Sequence, residues 1–532
     1  MKRPNRKRLI GVLVAALAAA SITTGANAAQ ADAPLTVRVD SGQLQGIVVG
    51  ATRQFLGVPY AAPPVGPLRW APPQPAKHWT GVRSAATAGS ACPQQPSPVA
   101  PSIAEDCLFL NVTTPLHEAP GARLPVMVWW HGGGYTTGAG APYDAQRLAD
   151  QGNVIVVTVN YRLGIFGYFG LAGLPDSGNF GLADQVASLK WAKRNAAAFG
   201  GDPGNLTVFG ESAGGMATCA LLTSPQAHGL FQKAAISSGS CDLDWPANGL
   251  YPGAGAATPY VSLAQDTATG QADAASLSCT SNVLSCLRGK SVAALMPYDQ
   301  DFAYLAYGTP LVPLNPATAL KIGAFDRVPV ISGGNADEER AFVGGALLAN
   351  PDAVTAQNYP QLIAQSFGTN ANAVAAHYPL TAYASAALAW STVITDESWA
   401  CPTATGDRQL AAHTTVYPYE FADPNAPNVN GITLPQLPQG AAHATDLPSL
   451  FDLGGANLLK TQAQQAMAAT MIDYWTTFAR TGNPNGPGSP QWTPATRSST
   501  AQLQLIPGAI QPVDFVAEHQ CRFWDSLSRP RS

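Results

Sequence analysis

The residues most suited to chemistry lie in a short turn, residues 209–215, which has Ser212 at its centre in the pattern Gly-x-Ser-x-Gly. An apolar run at 206–209 precedes the serine and a helix-prone run at 216–222 follows it, which predicts a strand, a sharp turn and a helix. Such a turn presents the serine oxygen at the end of a sheet, where it could attack a carbonyl carbon. A serine hydroxyl is a weak nucleophile, so the site also needs a base, a group that orients the base and an oxyanion hole.

Backbone N–H groups for an oxyanion hole could come from residues 130–135, which read Trp-His-Gly-Gly-Gly-Tyr after a predicted buried strand. Three successive glycines let the backbone approach a substrate carbonyl closely. We expect the N–H groups of Gly133 and Gly134 to be two of the donors, and that of Ala213 to be the third. A flexible glycine-rich turn is the alternative interpretation.

The orienting acid and the base should follow the serine in the order acid, then histidine. His443 lies in a loop of small residues and is the candidate base, although spacing alone also allows a structural histidine. A predicted strand at 328–332 leads to three adjacent carboxylates, Asp337, Glu338 and Glu339. Any of the three could hold the imidazole in the required tautomer, and composition does not choose among them.

The elements that must position these groups alternate between strand and helix. Residues 124–130 and 154–160 are apolar and rich in residues that favour β-strands, as is typical of strands buried on both faces. A helix is predicted over 182–199 and another strand over 233–237. This order predicts an α/β fold with a mostly parallel central sheet flanked by helices. Residues 242–310 carry little strand pattern, and we expect them to form an insertion over the carboxyl edge of the sheet.

Composition excludes several classes of protein. Hydrophobic residues make up 46% of the 532 residues and charged residues only 12%, which is typical of a globular chain and not of a disordered segment or a coiled coil. The formal net charge is −4, and it becomes −9 when residues 1–28, with their five basic and no acidic side chains, are removed. A mildly acidic protein is a poor partner for nucleic acid or anionic membranes.

The N-terminus has the pattern of a signal peptide, residues 1–28. Five basic residues precede an apolar run that is too short to span a bilayer, and an Ala-Asn-Ala cleavage pattern ends at Ala28. Cleavage after Ala28 is expected, with Ala31 as the alternative cut and a membrane-tethered N-terminus as the weaker alternative. The remaining residues, 29–532, are expected to form a single domain.

An even number of cysteines in an exported chain predicts disulfide bonds. No Cys-x-x-Cys pair occurs, which argues against a zinc or redox motif. Short spacing makes two local loops plausible, although spacing does not determine connectivity. The eight cysteines are Cys92, Cys107, Cys219, Cys241, Cys279, Cys286, Cys401 and Cys521.

Several longer motifs are more specific than Gly-x-Ser-x-Gly. They are Phe-Leu-Gly-Val-Pro-Tyr at 55–60, Glu-Asp-Cys-Leu-Phe-Leu-Asn-Val at 105–112, Gly-Asn-Phe-Gly-Leu-Ala-Asp-Gln at 178–185 and Phe-Ala-Arg-Thr-Gly-Asn-Pro at 478–484. Through these motifs the chain resembles the type-B carboxylesterase family, the esterase and lipase group that includes the cholinesterases, from about Val37 to Trp524. The resemblance implies an α/β-hydrolase fold with helical and loop insertions over the active site. Sparse charge and abundant Ala and Pro suggest a bacterial source.

The resemblance also implies roles for individual residues. The strand–loop block of the family ends in Asp-Glu with the glutamate catalytic, which selects Glu338; the family usually continues with glycine, where this chain has Glu339. The histidine block of the family maps on His443. Glu211, beside the nucleophile, is similar to a family glutamate that tunes the histidine.

Structural pairs are implied in the same way. Two ion pairs are expected to be structural and not catalytic, Arg69–Glu105 and Arg162–Asp184. The implied disulfides are Cys92–Cys107, Cys279–Cys286 and Cys401–Cys521, which leaves Cys219–Cys241 as the fourth pair, with a buried free thiol at Cys219 as the alternative.

The expected function is hydrolysis of small-molecule carboxylic esters through an acyl-enzyme on Ser212, with no metal or organic cofactor, no nucleic acid and no stable membrane insertion. The loop at 93–106 has no aromatic residue, which argues against recognition of quaternary ammonium groups there. One alternative is a lipase that acts on longer-chain esters. Another is a binding protein of the same fold, which the presence of Ser212, Glu338 and His443 disfavours. The oligomeric state stays open.

Overall fold

The computed structural model describes residues 34–97, 99–117, 121–499 and 501–527, and the signal peptide expected at 1–28 lies outside these described residues. The strands are, in chain order, β1 (Thr36–Val39), β2 (Gly42–Gln45), β3 (Ile47–Val49), β4 (Thr52–Pro59), β5 (Val82–Ser84), β6 (Phe109–Pro115), β7 (Leu124–Trp130), β8 (Tyr143–Asp144), β9 (Ile155–Val159), β10 (Gly201–Glu211), β11 (Lys233–Ser237), β12 (Tyr260–Ser262), β13 (Leu305–Tyr307), β14 (Val330–Asn335), β15 (Val416–Phe421), β16 (Asp452–Leu453), β17 (Ala501–Leu505) and β18 (Gln511–Asp514).

Helices connect most of these strands. The α-helices are α1 (Gln146–Gly152), α2 (Gly164–Tyr168), α3 (Phe180–Asn195), α4 (Ala213–Leu222), α5 (Leu263–Ser276), α6 (Val283–Arg288), α7 (Val292–Leu295), α8 (Pro316–Ile322), α9 (Arg340–Ala349), α10 (Tyr359–Phe367), α11 (Ala371–His377), α12 (Ala386–Ile394), α13 (Cys401–Ala411), α14 (Gln462–Thr481), α15 (Phe515–Glu518) and α16 (Cys521–Ser526). A π-helical segment, Thr395–Ala400, joins α12 to α13. Short 3₁₀ turns lie at Gly66–Leu68, Ala196–Phe199, Met296–Phe302, Gly368–Asn370, Leu380–Ala382 and Leu447–Ser449. No helix of the described residues is long and apolar enough to cross a membrane.

Eleven strands form the central sheet, in the order β3-β4-β6-β9-β7-β10-β11-β14-β15-β17-β18. The seven strands from β9 to β17 in this order are mutually parallel. The strands before β9 and the last strand, β18, run antiparallel to their neighbours. The sheet is therefore mostly parallel, as the alternation of predicted strands and helices indicated.

The central strands are apolar on both faces because each face packs on helices. In β7, Val126 and Val128 belong to one hydrophobic core, and Met127 and Trp129 belong to a second core on the other side. Residues of α3 and α4 contribute to the first core, whereas α1 and α14 supply residues to the second. Side chains of a strand alternate between the two faces, so a buried parallel strand reads as a continuous apolar run.

Element boundaries differ from the sequence expectation where backbone chemistry intervenes. The strands expected at 124–130 and 233–237 have those bounds. The helix expected at 182–199 begins earlier, at Phe180, and ends in a 3₁₀ turn. The strand expected to begin at residue 328 begins at Val330, because Pro329 has no N–H group to donate to a neighbouring strand.

Residues 242–310 form helices α5 to α7 and a small sheet in which β12 and β13 pair in parallel. The hydroxyl of Tyr260 donates to the carbonyl of Met216 in α4, at 2.8 Å. The side chain of Asn179, just before α3, exchanges two hydrogen bonds with the backbone of Ala306, at 2.7 and 3.1 Å. The insertion is thus attached to the helix that follows Ser212 and to the start of α3.

Disulfides and ion pairs fix the loops around the sheet. The eight cysteines form the disulfides Cys92–Cys107, Cys219–Cys241, Cys279–Cys286 and Cys401–Cys521. Arg162 contacts Asp184 through two side-chain hydrogen bonds of 2.7 and 2.8 Å, and both groups are buried. Arg69 contacts Glu105 in the same two-pronged geometry and also donates to three backbone carbonyls. Both pairs connect segments distant in sequence, which is a structural role.

A buried histidine fastens the C-terminal helices to the sheet. Nδ1 of His519 lies 2.6 Å from Asp396 of the π-helical segment, and Nε2 lies 2.6 Å from Glu420 of β15. Burial lowers the pKa of His519, but its bonds to the two carboxylates outweigh this effect and raise the pKa to about 10. A raised pKa in the folded state stabilises the fold fully below the ordinary value of 6.5, and this contribution is lost as the pH rises through about 10.

Replacement of the central histidine tests this arrangement. We expect His519→Gln to lower the free energy of unfolding near pH 7 by about 3–5 kcal/mol, because two buried carboxylates lose their cationic partner. The difference from the wild type should shrink above pH 10, where the wild-type histidine is also neutral. Urea unfolding at pH 7 and pH 10.5 measures both effects. His228→Gln, which removes an exposed histidine–aspartate pair, is the control; an equal loss in that variant would contradict the prediction.

Candidate active site

Five strands bring their carboxyl ends to one edge of the sheet. Gly210 of β10 lies opposite Trp130 of β7, and Glu211 lies opposite Ser237 of β11. Ser237 in turn lies opposite Gly333 of β14, whose other neighbour is β15. Parallel strands in register end together, so the loops after β7, β10, β11, β14 and β15 meet at this edge. Every residue expected to take part in the chemistry lies on one of these loops or on the first turn of the helix after it.

The Ser212 turn is tight and strained. Ser212 has φ 56° and ψ −126°, a conformation that costs free energy for any residue with a side chain. Its N–H donates to the carbonyl of Ser237 at 3.0 Å, which holds the turn against β11. A Cβ at Gly210 would clash with the carbonyl of Gly214, and a Cβ at Gly214 would clash with the carbonyl of Trp130. Both glycines of the motif are therefore required by close backbone packing.

The glycine loop after β7 runs beside the serine. A Cβ at Gly132 would lie 2.9 Å from Cβ of Ser212, which shows how close the two segments are. Gly133 and Gly134 have φ values of 106° and 57°, conformations that L side chains rarely adopt. The carbonyl of Gly133 accepts hydrogen bonds from two following N–H groups, at 3.0 Å each. These bonds turn the Gly133 carbonyl into the loop. Ala213, the other expected donor, is the first residue of α4 and directly follows the serine.

His131, the histidine of the glycine loop, is part of the scaffold. Its ring stacks on Tyr161 with centroids 4.3 Å apart, and its carbonyl accepts the hydroxyl of Tyr161 at 2.6 Å. Burial lowers the pKa of His131 to about 4, against an opposing backbone bond to Gly132. A neutral, stacked imidazole of this kind holds the loop in place.

His443 and Glu338 form a buried hydrogen-bonded pair. Nδ1 of His443 lies 2.5 Å from Oε2 of Glu338, and the backbone N–H of His443 donates to the carbonyl of Glu338 at 3.2 Å. The other carboxylate oxygen, Oε1, accepts from the hydroxyl of Ser238 at 2.5 Å and from the N–H of Asn335 at 2.7 Å. The side chain of His443 is only 10% exposed and that of Glu338 only 3%. Glu338 is thus fixed by three donors.

The two neighbouring carboxylates point elsewhere. Asp337 pairs with Arg340 at 2.7 Å and accepts the N–H of Ala441 at 3.0 Å, which fixes the loop that carries His443. Glu339 is fully buried and accepts the indole N–H of Trp399 at 3.0 Å. Of the three carboxylates that the sequence left open, Glu338 contacts the imidazole.

Glu211 lies on the other side of the imidazole. Its Oε1 is 3.2 Å from Nε2 of His443. Burial raises the pKa of Glu211 to about 8, although the charge of His443 acts in the opposite direction. Burial also lowers the pKa of His443, but the charges of Glu211 and Glu338 outweigh it and raise that pKa to about 9. Each group acts on the other, so Glu211 and His443 titrate as a coupled pair.

Sequence reasoning missed several groups around the imidazole. Ser238 and Asn335 fix Glu338, and Asp446 adds a third negative charge near His443. Asn335 also donates to Asp446, at 3.4 Å. Ser238 and Asn335 lie at the carboxyl ends of predicted strands, a signal that could have marked them. Their partners come from distant parts of the chain, so no local pattern revealed them.

Aromatic rings enclose the histidine. The rings of Phe342 and Trp399 each lie 5.0 Å from the ring of His443. Their stretches of sequence carry no motif, and only the folded chain brings them to the site.

The parts needed for acyl transfer lie together at one edge of a mostly parallel sheet. They are a serine turn, a glycine loop and a histidine–carboxylate pair. The architecture is that of an α/β-hydrolase.

Comparisons with known proteins agree with this class. The model of the carboxylesterase family matches residues 33–524. Human (Homo sapiens) cocaine esterase is 32% identical over 530 residues, covering 91% of this chain and 90% of that protein. Para-nitrobenzyl esterase of Bacillus subtilis (strain 168) is 34% identical over 468 residues, with 84% and 90% covered. A medium-chain fatty acyl-CoA hydrolase precursor of Anas platyrhynchos is 33% identical over 531 residues, with 92% and 91% covered. The chain belongs to the carboxylesterase family and is a carboxylic ester hydrolase, which confirms the resemblance and the fold class predicted from its sequence.

Close packing at the serine turn can be tested with one added methyl group. We expect Gly214→Ala to reduce stability by about 1–3 kcal/mol and to remove most activity, because the new Cβ meets the Trp130 carbonyl. Gly345→Ala is the matched control, since its Cβ would enter open space on α9 and alanine favours a helix. Thermal unfolding measures the stability of both variants, and the rate of ester hydrolysis measures their activity. Wild-type behaviour of Gly214→Ala would contradict the close packing.

Proposed function

We propose that this carboxylic ester hydrolase is a serine esterase with Ser212 as nucleophile, His443 as general base and Glu338 as the acid that orients the base. The observation that carries the proposal is the buried hydrogen bond between Glu338 and His443 at the sheet edge where the Ser212 turn lies. Because the carboxylate of Glu338 contacts Nδ1, the serine proton would go to Nε2, the nitrogen that also lies 3.2 Å from Oε1 of Glu211.

The reaction runs in two acyl-transfer steps. Ser212 attacks the ester carbonyl while His443 takes its proton, and the N–H groups of Gly133, Gly134 and Ala213 bind the oxyanion. His443 then gives the proton to the leaving alcohol, and an acyl-enzyme remains on the serine. A water molecule, whose proton is taken by His443, then attacks this acyl-enzyme ester. The carboxylic acid is released and Ser212 regains its proton. The enzyme needs no electron transfer at any step.

The charges around His443 favour its protonated form. The carboxylates of Glu338 and Glu211 lie 2.5 and 3.2 Å from its two ring nitrogens. The imidazolium that forms as the serine loses its proton is therefore stabilised inside a buried site. This arrangement lowers the energy of the transition state, and it also means that the free histidine is neutral only at raised pH.

Small esters with short-to-medium acyl or aryl groups are the proposed substrates. Two relatives are named as a cocaine esterase and a para-nitrobenzyl esterase, and both names support substrates with an aromatic part. We further propose that the protein is exported, with cleavage after Ala28, and that residues 29–532 act as one domain. Four disulfides support export, because they persist in oxidising compartments outside the cytosol.

A chain-length series of p-nitrophenyl esters, from acetate to palmitate, tests the proposed function. We expect the wild type to hydrolyse the shorter esters, and Ser212→Ala to lose about 10⁶-fold in kcat because the acyl-enzyme cannot form. Ser276→Ala, which changes an exposed serine on α5, is the control and should keep full activity. The measurement is the initial rate at each chain length, with folding checked by circular dichroism.

The outcomes are distinct. Hydrolysis by Ser212→Ala at the wild-type rate would refute the nucleophile, and a folded wild type without activity at any length would favour a binding protein. A sharp rise in rate as a long-chain ester passes its solubility limit would instead identify a lipase.

The pH dependence of kcat/KM tests the role of Glu211. Activity should rise with pH as His443 loses its proton, since the general base must be neutral. Glu211→Gln removes a charge that raises the pKa of His443, so we expect the rise to move to lower pH by about one unit. Asp352→Asn, an exposed carboxylate that is not among the groups acting on His443, should leave the profile in place. A shift to higher pH in Glu211→Gln would refute the assignment.

A further inference from the structure

We propose that Glu339 is a positioning residue of this site, which holds the indole of Trp399 and, through it, the ring of His443. The inference rests on the proposed function, because it concerns the histidine assigned there as general base. It adds a residue that neither transfers a proton nor contacts the substrate.

Glu339 joins the loop between β14 and α9 to the π-helical segment through two hydrogen bonds. Its Oε2 accepts the indole N–H of Trp399 at 3.0 Å. Its backbone N–H donates to the hydroxyl of Thr395 at 3.1 Å, at the start of the same segment. Since Glu339 directly follows Glu338, the residue that bonds His443 and the residue that bonds Trp399 are neighbours in the chain. The position of one side chain is thereby coupled to the position of the other.

Trp399 transmits this restraint to the imidazole. Its ring centroid lies 5.0 Å from that of His443 at an interplanar angle of 47°. Phe342 stacks on Trp399 at 5.6 Å and 22°, and it also lies 5.0 Å from His443. Trp245 also packs edge-on against Trp399, with ring centroids 5.1 Å apart. Aromatic contacts of this kind fix ring orientation, and Trp399 is the ring that contacts all three of the others.

The indole is held by a segment of unusual geometry. Residues Thr395–Ala400 form a π-helical segment, and such segments are rare and frequently lie at functional sites. Trp399 is 3% exposed, and its N–H would be unsatisfied without Glu339. A buried indole donor without a partner costs free energy, so the hydrogen bond favours one orientation of the ring.

Two other roles for Glu339 fit the site less well. It does not orient the base directly, because its carboxyl group bonds the indole while Glu338 bonds the imidazole. It does not act by charge, because the charged groups that shift the titration of His443 are Glu211, Glu338 and Asp446. Burial raises the pKa of Glu339 well above its ordinary value, which favours a neutral carboxyl group. Glu339 therefore acts on His443 through the position of the Trp399 ring.

Four variants separate positioning from a general structural role. Glu339→Leu keeps the volume but removes the acceptor, Glu339→Gln keeps an acceptor oxygen, and Trp399→Phe keeps a ring but removes the donor; the double variant Glu339→Leu/Trp399→Phe completes the set. The control is Trp390→Phe, which alters another buried tryptophan, one whose N–H has no partner among the described residues. Rates are measured with a p-nitrophenyl ester and divided by the concentration of active sites, titrated with a phosphonate that reacts with the serine.

We expect Glu339→Leu to lower kcat per active site about ten-fold with little change in KM, since a misplaced general base slows the proton transfer. Glu339→Gln should recover most of that loss, and the double variant should be no slower than Trp399→Phe alone. The pH at which kcat/KM rises should stay in place in Glu339→Gln, because charge is not involved. Trp390→Phe should keep the wild-type kcat.

Several results would overturn the inference. They are a wild-type kcat in Glu339→Leu, losses that multiply in the double variant, or a shifted pH profile in Glu339→Gln. If Glu339→Leu does not fold, Trp399→Phe carries the test, and a wild-type kcat in that variant contradicts the proposal. Absence of ester hydrolysis by the wild type would instead refute the proposed function and is recognised before any variant is made.

Discussion

The register of the parallel strands is the constraint on which the site depends. Backbone hydrogen bonds place Glu211 opposite Ser237 and Ser237 opposite Gly333, so the loops that follow three strands start at one level. This arrangement brings Glu338 and Ser212 to one edge, although more than a hundred residues of chain separate them. A slip of one residue in any pairing would turn the adjacent side chains to the opposite face of the sheet. The two apolar cores that cover the faces therefore specify the register and, with it, the site.

The same edge concentrates negative charge in a buried space. Glu211, Glu338 and Asp446 all act on His443, and burial raises the pKa of Glu211 and of Asp446. The cost is offset by donors that the fold supplies, such as the hydroxyl of Ser238 on Glu338. In the proposed mechanism, a proton that moves to the imidazole therefore enters an environment already arranged for positive charge, so little reorganisation is needed.

Local chemistry explains how much of this site the sequence could predict. The turn at Ser212 depends on the size of adjacent residues, and His131–Gly134 on backbone freedom, so both leave a recognisable pattern. The choice of Glu338 needed the family resemblance, because three adjacent carboxylates look alike until the fold gives each a different partner. Trp399 and Asp446 carried no signal at all, since their proximity to the histidine arises only when distant segments pack. The strands were predictable for a similar reason, because a strand buried on both faces has a continuous apolar run in its own sequence.

The π-helical segment connects the active site to the C-terminus. Asp396 in this segment bonds His519, Trp399 packs on His443, and Cys401 immediately after it forms a disulfide with Cys521. An ion pair therefore holds this short segment, a disulfide holds the residue that follows it, and the segment carries the aromatic ring that packs on His443. Restraints on one side of a rigid segment limit movement on the other, because a close-packed interior transmits displacement. The bonds that stabilise the C-terminal helices are therefore made to the same segment that carries the ring packed on His443.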